Sequence, residues 1–418
     1  MHNVRELKED ELKQMVVLEQ QAYTAYAREK EEDLDEVVEN HKKKFHKDDI
    51  HFYGVFDQEE LVGSMKFYDF ESNIFGKYMP TAGVSSIAVD LLHKKERVAK
   101  SMIDHYLADY DERGYALAAL YAFRPDFYYQ MGFGYGSKMD RYKVEPASFP
   151  NFKHKPDLTY LKSKEKDLPR MMECYHEYAG NQHGAMKKFE WQYEMFFDKF
   201  MFKKVAVERD NKITGYAIFS FKKREINNFL SNDILIHEFV YNDRDALQQL
   251  STFFHSQKDQ VNRIQMNTQD PMFHHFFTDA RDGSDELITF VSHQTNQSGV
   301  GLMYRIINVK EFFNQVSKHN FNGVNKTISF EIKDSLYEKN SGTTTVKFSK
   351  GKPTVVQGAK ADATVSMDVS NFTSLVLGVA TFAKLHQYGK AEISDETFVD
   401  TVDELFRTKE DLICLTNF

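Results

Sequence analysis

Gly83–Ala99 reads GVSSIAVDLLHKKERVA, and the fold of the chain turns on how this stretch is read. Val84–Val89 is a short extended run of small or β-branched residues, as a buried strand requires. A turn follows at Asp90–His93, and then a mostly basic tetrad, Lys94-Lys95-Glu96-Arg97. Val98, Met102, Ile103 and Tyr106 recur at helical spacing, which predicts a helix over Lys94–Asp109. A strand, a turn and a cation-rich helix start make an anion site, because the free N–H groups and dipole of a first helical turn favour negative charge. The same pattern also fits an ordinary strand-to-helix turn with a solvated basic face.

Working outward, Leu12, Met15, Val16, Tyr23 and Tyr26 predict an amphipathic helix over Glu9–Tyr26. A second helix, Glu31–Lys47, is acidic at its start and basic at its end, as the macrodipole favours. Its basic run, His41–Lys47, reads as a solvated helix end rather than an anion site. His51–Phe56 and Glu60–Phe70 read as strands around the turn Asp57-Gln58-Glu59. After the central stretch, Tyr115–Phe123 (YALAALYAF) reads as a buried strand broken by Arg124-Pro125. A short helix in DFYYQMGFGYG (Asp126–Gly136) and a last strand, Lys138–Val144, complete the domain.

This order resembles that of the GNAT acetyltransferases. The central stretch resembles their motif A, in which a splayed strand pairs with the pantetheine arm of acetyl-CoA and a loop reading Arg/Gln-x-x-Gly-x-Gly/Ala takes the pyrophosphate. Here the six positions are Lys94 to Ala99, with Arg97 where the family has its central glycine. Tyr128, Tyr129, Gly132 and Phe133 resemble the family's tyrosine and Gly-aromatic signature. The resemblance implies that backbone groups of Ile87, Ala88 and Val89 pair with pantetheine. It also implies that Lys94, Lys95, Arg97, Val98 and Ala99 surround the pyrophosphate.

Glu145 to about Lys164, with three prolines, reads as a linker. A second domain then echoes the first. Its predicted elements are helices at Asp167–Tyr178 and Trp191–Phe200, a hairpin of Val205–Val207 with Thr214–Phe221, a strand Ile234–Tyr241 and a helix Asp243–Gln257. Pro169 is placed in the first turn of its helix. Tyr241–Asp245 is acidic on balance, so this copy is expected to carry no cofactor. His274-His275 has no further ligands at metal spacing and reads as packing. Ser292–Gly301 reads as a second linker. From Met303 onward come a strand Tyr304–Val309, a helix Lys310–Lys318, strands Thr327–Ile332, Thr344–Phe348 and Ala363–Val369, and three further helices, the last over Asp395–Phe406 with Ser394 as its N-cap. These resemble the sterol-carrier-protein-2 fold. The expected fold class is α/β (α+β), with domains at 1–150, 151–295 and 296–418.

The whole layout resembles the Eis (enhanced intracellular survival) family, through GLMYRIINVKEFF at Gly301–Phe313 and the tail LICLTNF at Leu412–Phe418 as well as the two GNAT motifs. That resemblance implies Tyr128 as general acid and the terminal carboxylate of Phe418 as general base. Read from the residues alone, Phe418 is a frayed end. The implied activity is an acetyl-CoA-dependent N-acetyltransferase acting on a primary amine of a cationic, aminoglycoside-like small molecule or on a lysine, in a hexamer. The alternative is a non-catalytic ligand- or lipid-binding protein with a decayed cofactor site.

Composition sets outer bounds. The chain has 418 residues and a net charge of −9, which argues against non-specific nucleic-acid binding. Its two cysteines supply neither a disulfide framework nor a metal set. A charged start without an apolar core, and no run long enough to span a membrane, lead us to expect a cytoplasmic protein.

Overall fold

The computed structural model describes residues 3–23, 31–153, 155–225, 228 and 231–418. The first elements are β1 (Asn3–Glu6), α1 (Leu12–Ala22), α2 (Glu31–Phe45), β2 (Ile50–Asp57), β3 (Glu60–Ile74), β4 (Lys77–Val89), α3 (Val98–Glu112), β5 (Leu117–Tyr121), α4 (Pro125–Gln130) and β6 (Gly134–Tyr135). Then come β7 (Met139–Val144), β8 (Leu158–Tyr160), α5 (Lys164–Gly180), α6 (Glu190–Asp198), β9 (Lys203–Arg209), β10 (Lys212–Lys223), β11 (Asn232–Tyr241), α7 (Arg244–His255), β12 (Arg263–Thr268), β13 (Leu287–Thr289), β14 (Ser292–His293) and β15 (Asn296–Gly299). The last are β16 (Leu302–Ile306), α8 (Val309–Gln315), β17 (Lys326–Lys333), β18 (Gly342–Ser349), β19 (Lys352–Val356), β20 (Ala363–Asp368), α9 (Val369–Val376), α10 (Phe382–Gln387), β21 (Ala391–Ile393) and α11 (Val399–Phe406).

The chain forms two compact units. One holds residues 1–136, 302–409 and 417–418, and the other holds 137–301 and 410–416. The first unit contains a seven-stranded sheet, β1-β2-β3-β4-β5-β16-β6, and a five-stranded sheet, β19-β18-β17-β20-β21. The second contains a seven-stranded sheet, β15-β7-β12-β11-β10-β9-β8, and the small hairpin β13-β14.

Two strands lie where the sequence did not put them. Met139–Val144, expected to close the first sheet, pairs with β12 and β15 in the second. The strand expected at Tyr304–Val309 to open the sterol-carrier-like domain lies at Leu302–Ile306 and sits in the first sheet between β5 and β6. Periodicity marks a strand but does not name its partner. Burial explains the second placement: all five residues of β16 are buried, so the strand fits the interior of a sheet. Both expected linkers also hold strands. β8 extends the second sheet beside β9, and β15 pairs with β7. β8 is only three residues long and largely exposed, and β15 is polar throughout, so neither gives a hydrophobic pattern long enough to read.

Helix ends moved for local reasons. The first helix spans Leu12–Ala22 after a 3₁₀ turn, and Tyr26 lies outside the described residues. α5 starts at Lys164, where Ser163 caps it, so Pro169 falls inside the helix. The last helix begins at Val399, preceded by a 3₁₀ turn capped by Asp395 rather than Ser394. α3 starts at Val98 rather than Lys94, because Lys95 (φ 72°) and Arg97 (φ 64°) are left-handed. Its buried face, with Val98, Met102, Ile103 and Tyr106, is the one its spacing predicted.

The sterol-carrier-like portion packs into the first unit through polar contacts. Asp111 on α3 accepts hydrogen bonds from Asn308 Nδ2 and Tyr337 Oη, both at 2.8 Å, and pairs with Lys339 at 2.8 Å. Arg305 of β16, fully buried, pairs with buried Asp334 at 2.5 Å and donates to the Met131 carbonyl. Gly132 is required beside it. A Cβ built there would lie 1.7 Å from Arg305 Nη1, and φ is +82°.

Candidate acyl-transfer site

β4 and β5 run parallel but pair only at Thr81–Gly83 with Leu117–Ala119. Beyond that point they part, so Val84–Val89 shows β5 an unpaired edge. A bulge drives the parting. On the other side of β4, Ser64 pairs with Ala88 but Lys66 pairs with Ser85, so Ser86 and Ile87 are set against one residue, and Ser86 is left-handed at φ 52°. The expected pantetheine residues therefore lie on an open edge: Ala88 is buried, and Ile87 and Val89 are half-buried. One group on this stretch is already used, because Tyr23 Oη donates to the Ile87 carbonyl at 2.7 Å.

A buried ion cluster supports the bulge from behind. Lys66 Nζ donates to Ser86 Oγ at 3.2 Å and pairs with Glu19 at 2.8 Å, while His41 Nε2 lies 3.3 Å from the same carboxylate. Burial pushes the Glu19 carboxyl up, but the charge on Lys66 and the contact with His41 outweigh it and hold its pKa at about 2. A carboxylate depressed in the folded state contributes stability above its ordinary value of 4.5 and loses it as pH falls toward 2. Urea midpoints measured across that window should fall more steeply for the native chain than for Glu19→Gln. Equal slopes would show that the cluster contributes nothing.

The loop after β4 presents Lys94, Lys95, Glu96 and Arg97, all exposed. Asp90 closes its first turn by accepting from Leu92 N at 2.8 Å. Arg97 stands at the N-cap of α3 in the left-handed conformation that the family's glycine would supply, and no side chain caps the helix. The first-turn N–H groups of Val98, Ala99 and Lys100 thus point into a cationic loop. Arg97 thus places a positive charge at a left-handed position directly before the helix.

Tyr128 is 2% exposed, ringed by Phe123, Phe127 and Phe133 at centroid distances of 5.3–6.0 Å. Burial, with a smaller effect from Tyr23, pushes its phenol well above the ordinary range. Phe123 also meets Tyr23 at 6.4 Å, and Tyr23 reaches Ile87, so ring contacts link Tyr128 to the open edge of β4. Its neighbour Tyr129 is structural: it donates to Asn371 Oδ1 at 2.9 Å and stacks on Tyr135.

Phe418 is not frayed. Its ring is half-buried and packs against Phe70 (4.9 Å), Tyr68 (5.4 Å) and Tyr121 (5.7 Å). Tyr68 and Ser85 share a hydrogen bond at 2.9 Å, which ties this aromatic seat to β4. Gly83 makes room for it, since a Cβ there would meet the Phe70 ring at 2.7 Å. The structure thus gathers the open edge, the basic loop, Tyr128 and the ring of Phe418 in one unit. Tyr23, Lys66, Glu19 and the aromatic seat had no sequence signal, because their partners are far away in the chain. Among the described residues no group of His, Cys, Asp and Glu side chains could hold a metal ion.

Residues 3–136 match the family described as acetyltransferase (GNAT) domain, and residues 184–306 match a second GNAT acetyltransferase family. Residues 309–415 match the sterol carrier protein domain. No curated protein matches. Among solved structures, a GCN5-related N-acetyltransferase from Anabaena variabilis is 17% identical with a TM-score of 0.80, over 100% of both chains. A probable N-acyltransferase from Enterococcus faecalis is 21% identical (TM-score 0.78), and Eis1 from Mycobacterium abscessus is 19% identical (TM-score 0.75), each over 100% of both chains. The chain is a GNAT acetyltransferase, a transferase with two such domains and a sterol carrier protein domain after them. Its fold resembles that of the Mycobacterium abscessus protein over the whole of both chains.

Proposed function

We propose that the first unit transfers an acetyl group from acetyl-CoA to a primary amine of a cationic small molecule or a lysine. The observation that carries this reading is the parting of β4 from β5 directly before an uncapped, cationic helix start. An amide-bearing arm fits the open edge of Ile87–Val89, where only the Ile87 carbonyl is already taken, by Tyr23. A pyrophosphate fits the first-turn N–H groups of Val98 and Ala99, with Lys94, Lys95 and Arg97 around it.

The chemistry assigns the two ends of the site. The amine arrives as an ammonium and must lose a proton before its nitrogen attacks the thioester carbonyl. The carboxylate of Phe418 accepts that proton, directly or through water. As the C–S bond breaks, the thiolate takes a proton from the Tyr128 hydroxyl. Burial keeps that phenol protonated at neutral pH.

The test mixes the full chain with acetyl-CoA and a panel of cationic amines and measures free thiol. Turnover with a subset of amines is expected; none with any amine would remove the reading. Arg97→Gly keeps the left-handed backbone and removes only the charge. It should raise the KM for acetyl-CoA about threefold to tenfold and weaken its dependence on salt. An unchanged KM would leave Arg97 outside the site.

A further inference from the structure

The second sheet repeats the opening of the first. β11 pairs with β12 only at Asp233–Leu235 with Arg263–Gln265, and a bulge at His237 sets Ile218 against Glu238 and Phe219 against Ile236. Beyond those pairs, Ile236–Tyr241 and Met266–Thr268 face each other across a cleft of about 170 Å³. Tyr178, Tyr241 and Phe273 line it, and so do Ile413 and Leu415 from the C-terminal segment of this unit.

What the cleft lacks is a place for phosphate. The first turn of α7 is closed by Asp243, which accepts from Ala246 N at 2.8 Å, and Asp245 in that turn is paired with Arg209 at 2.9 Å. Lys188, the lysine of the lining, is held by Glu238 at 2.5 Å, and both side chains are about nine-tenths buried. Tyr216 donates to the other oxygen of Glu238 at 2.7 Å, so this pair is neutral and satisfied. The uncompensated charge is negative. Asp270 lines the cleft, and among the described residues no cation pairs with it; its carboxylate accepts only the backbone N–H of Met272, at 2.8 Å. Burial, and to a smaller degree the Asp270 charge, push Tyr241, which also lines the cleft, above its ordinary range.

We propose that this cleft is a second ligand site, and that it takes a short extended peptide carrying a basic side chain. Two facing strand edges with free N–H and C=O groups pair with a main chain, which an amine without amides cannot match. Asp270 and the faces of Tyr178 and Tyr241 receive the cation. A CoA arm is excluded by the closed helix start. This assignment does not depend on the acyl-transfer reading, because it uses none of the same residues.

The test uses the full chain without acetyl-CoA and the tetrapeptide Ala-Lys-Ala-Ala as probe. Amide hydrogen exchange should slow at Ile236–Tyr241 and Met266–Thr268 when the peptide is added. The same peptide with glutamate in place of lysine should give no protection at equal concentration. Asp270→Asn should weaken binding about tenfold while leaving acetyl transfer unchanged. Absence of protection, equal protection by the glutamate peptide, or equal affinity for spermidine, which has no amides, would each overturn the proposal.

Discussion

Removing Phe418 alone is expected to lower amine acetylation about 100- to 1,000-fold, the range of a lost general base. The ring of this residue is seated on Phe70, Tyr68 and Tyr121, so the seat fixes where the terminal carboxylate stands. Deletion moves that carboxylate back onto Asn417, a displacement of about 3.5 Å along the chain. Misplacement of a reacting group by roughly 1 Å can already cost on the order of 100-fold. Adding one glycine after Phe418 displaces the carboxylate the other way and should be as damaging. Phe418→Ala keeps a terminal carboxylate at the same position in the chain and should lose less. Tyr128→Phe should lower kcat on the order of 100-fold at unchanged KM for acetyl-CoA. The native rate should fall on the acid side, where the amine and carboxylate are protonated. It should show no alkaline loss from the Tyr128 phenol, whose proton is held well above the ordinary range. The assay is free-thiol release across pH; a deletion variant with native kcat would end the terminal-carboxylate role.

Asp334→Ala is expected to destabilise the protein by about 3–5 kcal/mol, the cost of leaving a buried charge without its partner. Arg305 and Asp334 are both fully shielded from water. Asp334 also accepts from the backbone N–H groups of Leu336 (3.2 Å) and Tyr337 (2.9 Å) and from Asn340 Nδ2 (3.1 Å), which its loss would orphan as well. The apolar double replacement Arg305→Met with Asp334→Leu should recover part of the loss. Far-UV circular dichroism melts of the native chain and the two variants make the comparison. If Asp334→Ala melts with the native chain, the pair holds nothing together.

What the sequence made legible was local. The spacing of Val98, Met102, Ile103 and Tyr106 was enough to find α3 and its buried face, because helical contacts recur within a few residues. The Tyr128–Phe133 signature was readable too, though its glycine is explained only by Arg305, far along the chain. Partnerships between distant strands were not readable. β16 looks the same as a strand whichever sheet receives it. The edge strand β8 is too short, and β15 too polar, to show a hydrophobic pattern. Lys66 reads as one more surface cation until Glu19 is seen against it.

The traded strands also decide how this protein can be taken apart. Cutting at residues 150 and 295, where the composition suggests boundaries, would strip β16 from one piece's sheet and leave β7 attached to the wrong piece. Junctions at 136/137 and 301/302 keep each sheet's strands together. A chimera with a relative should therefore exchange 137–301 as one cassette, together with residues 410–416.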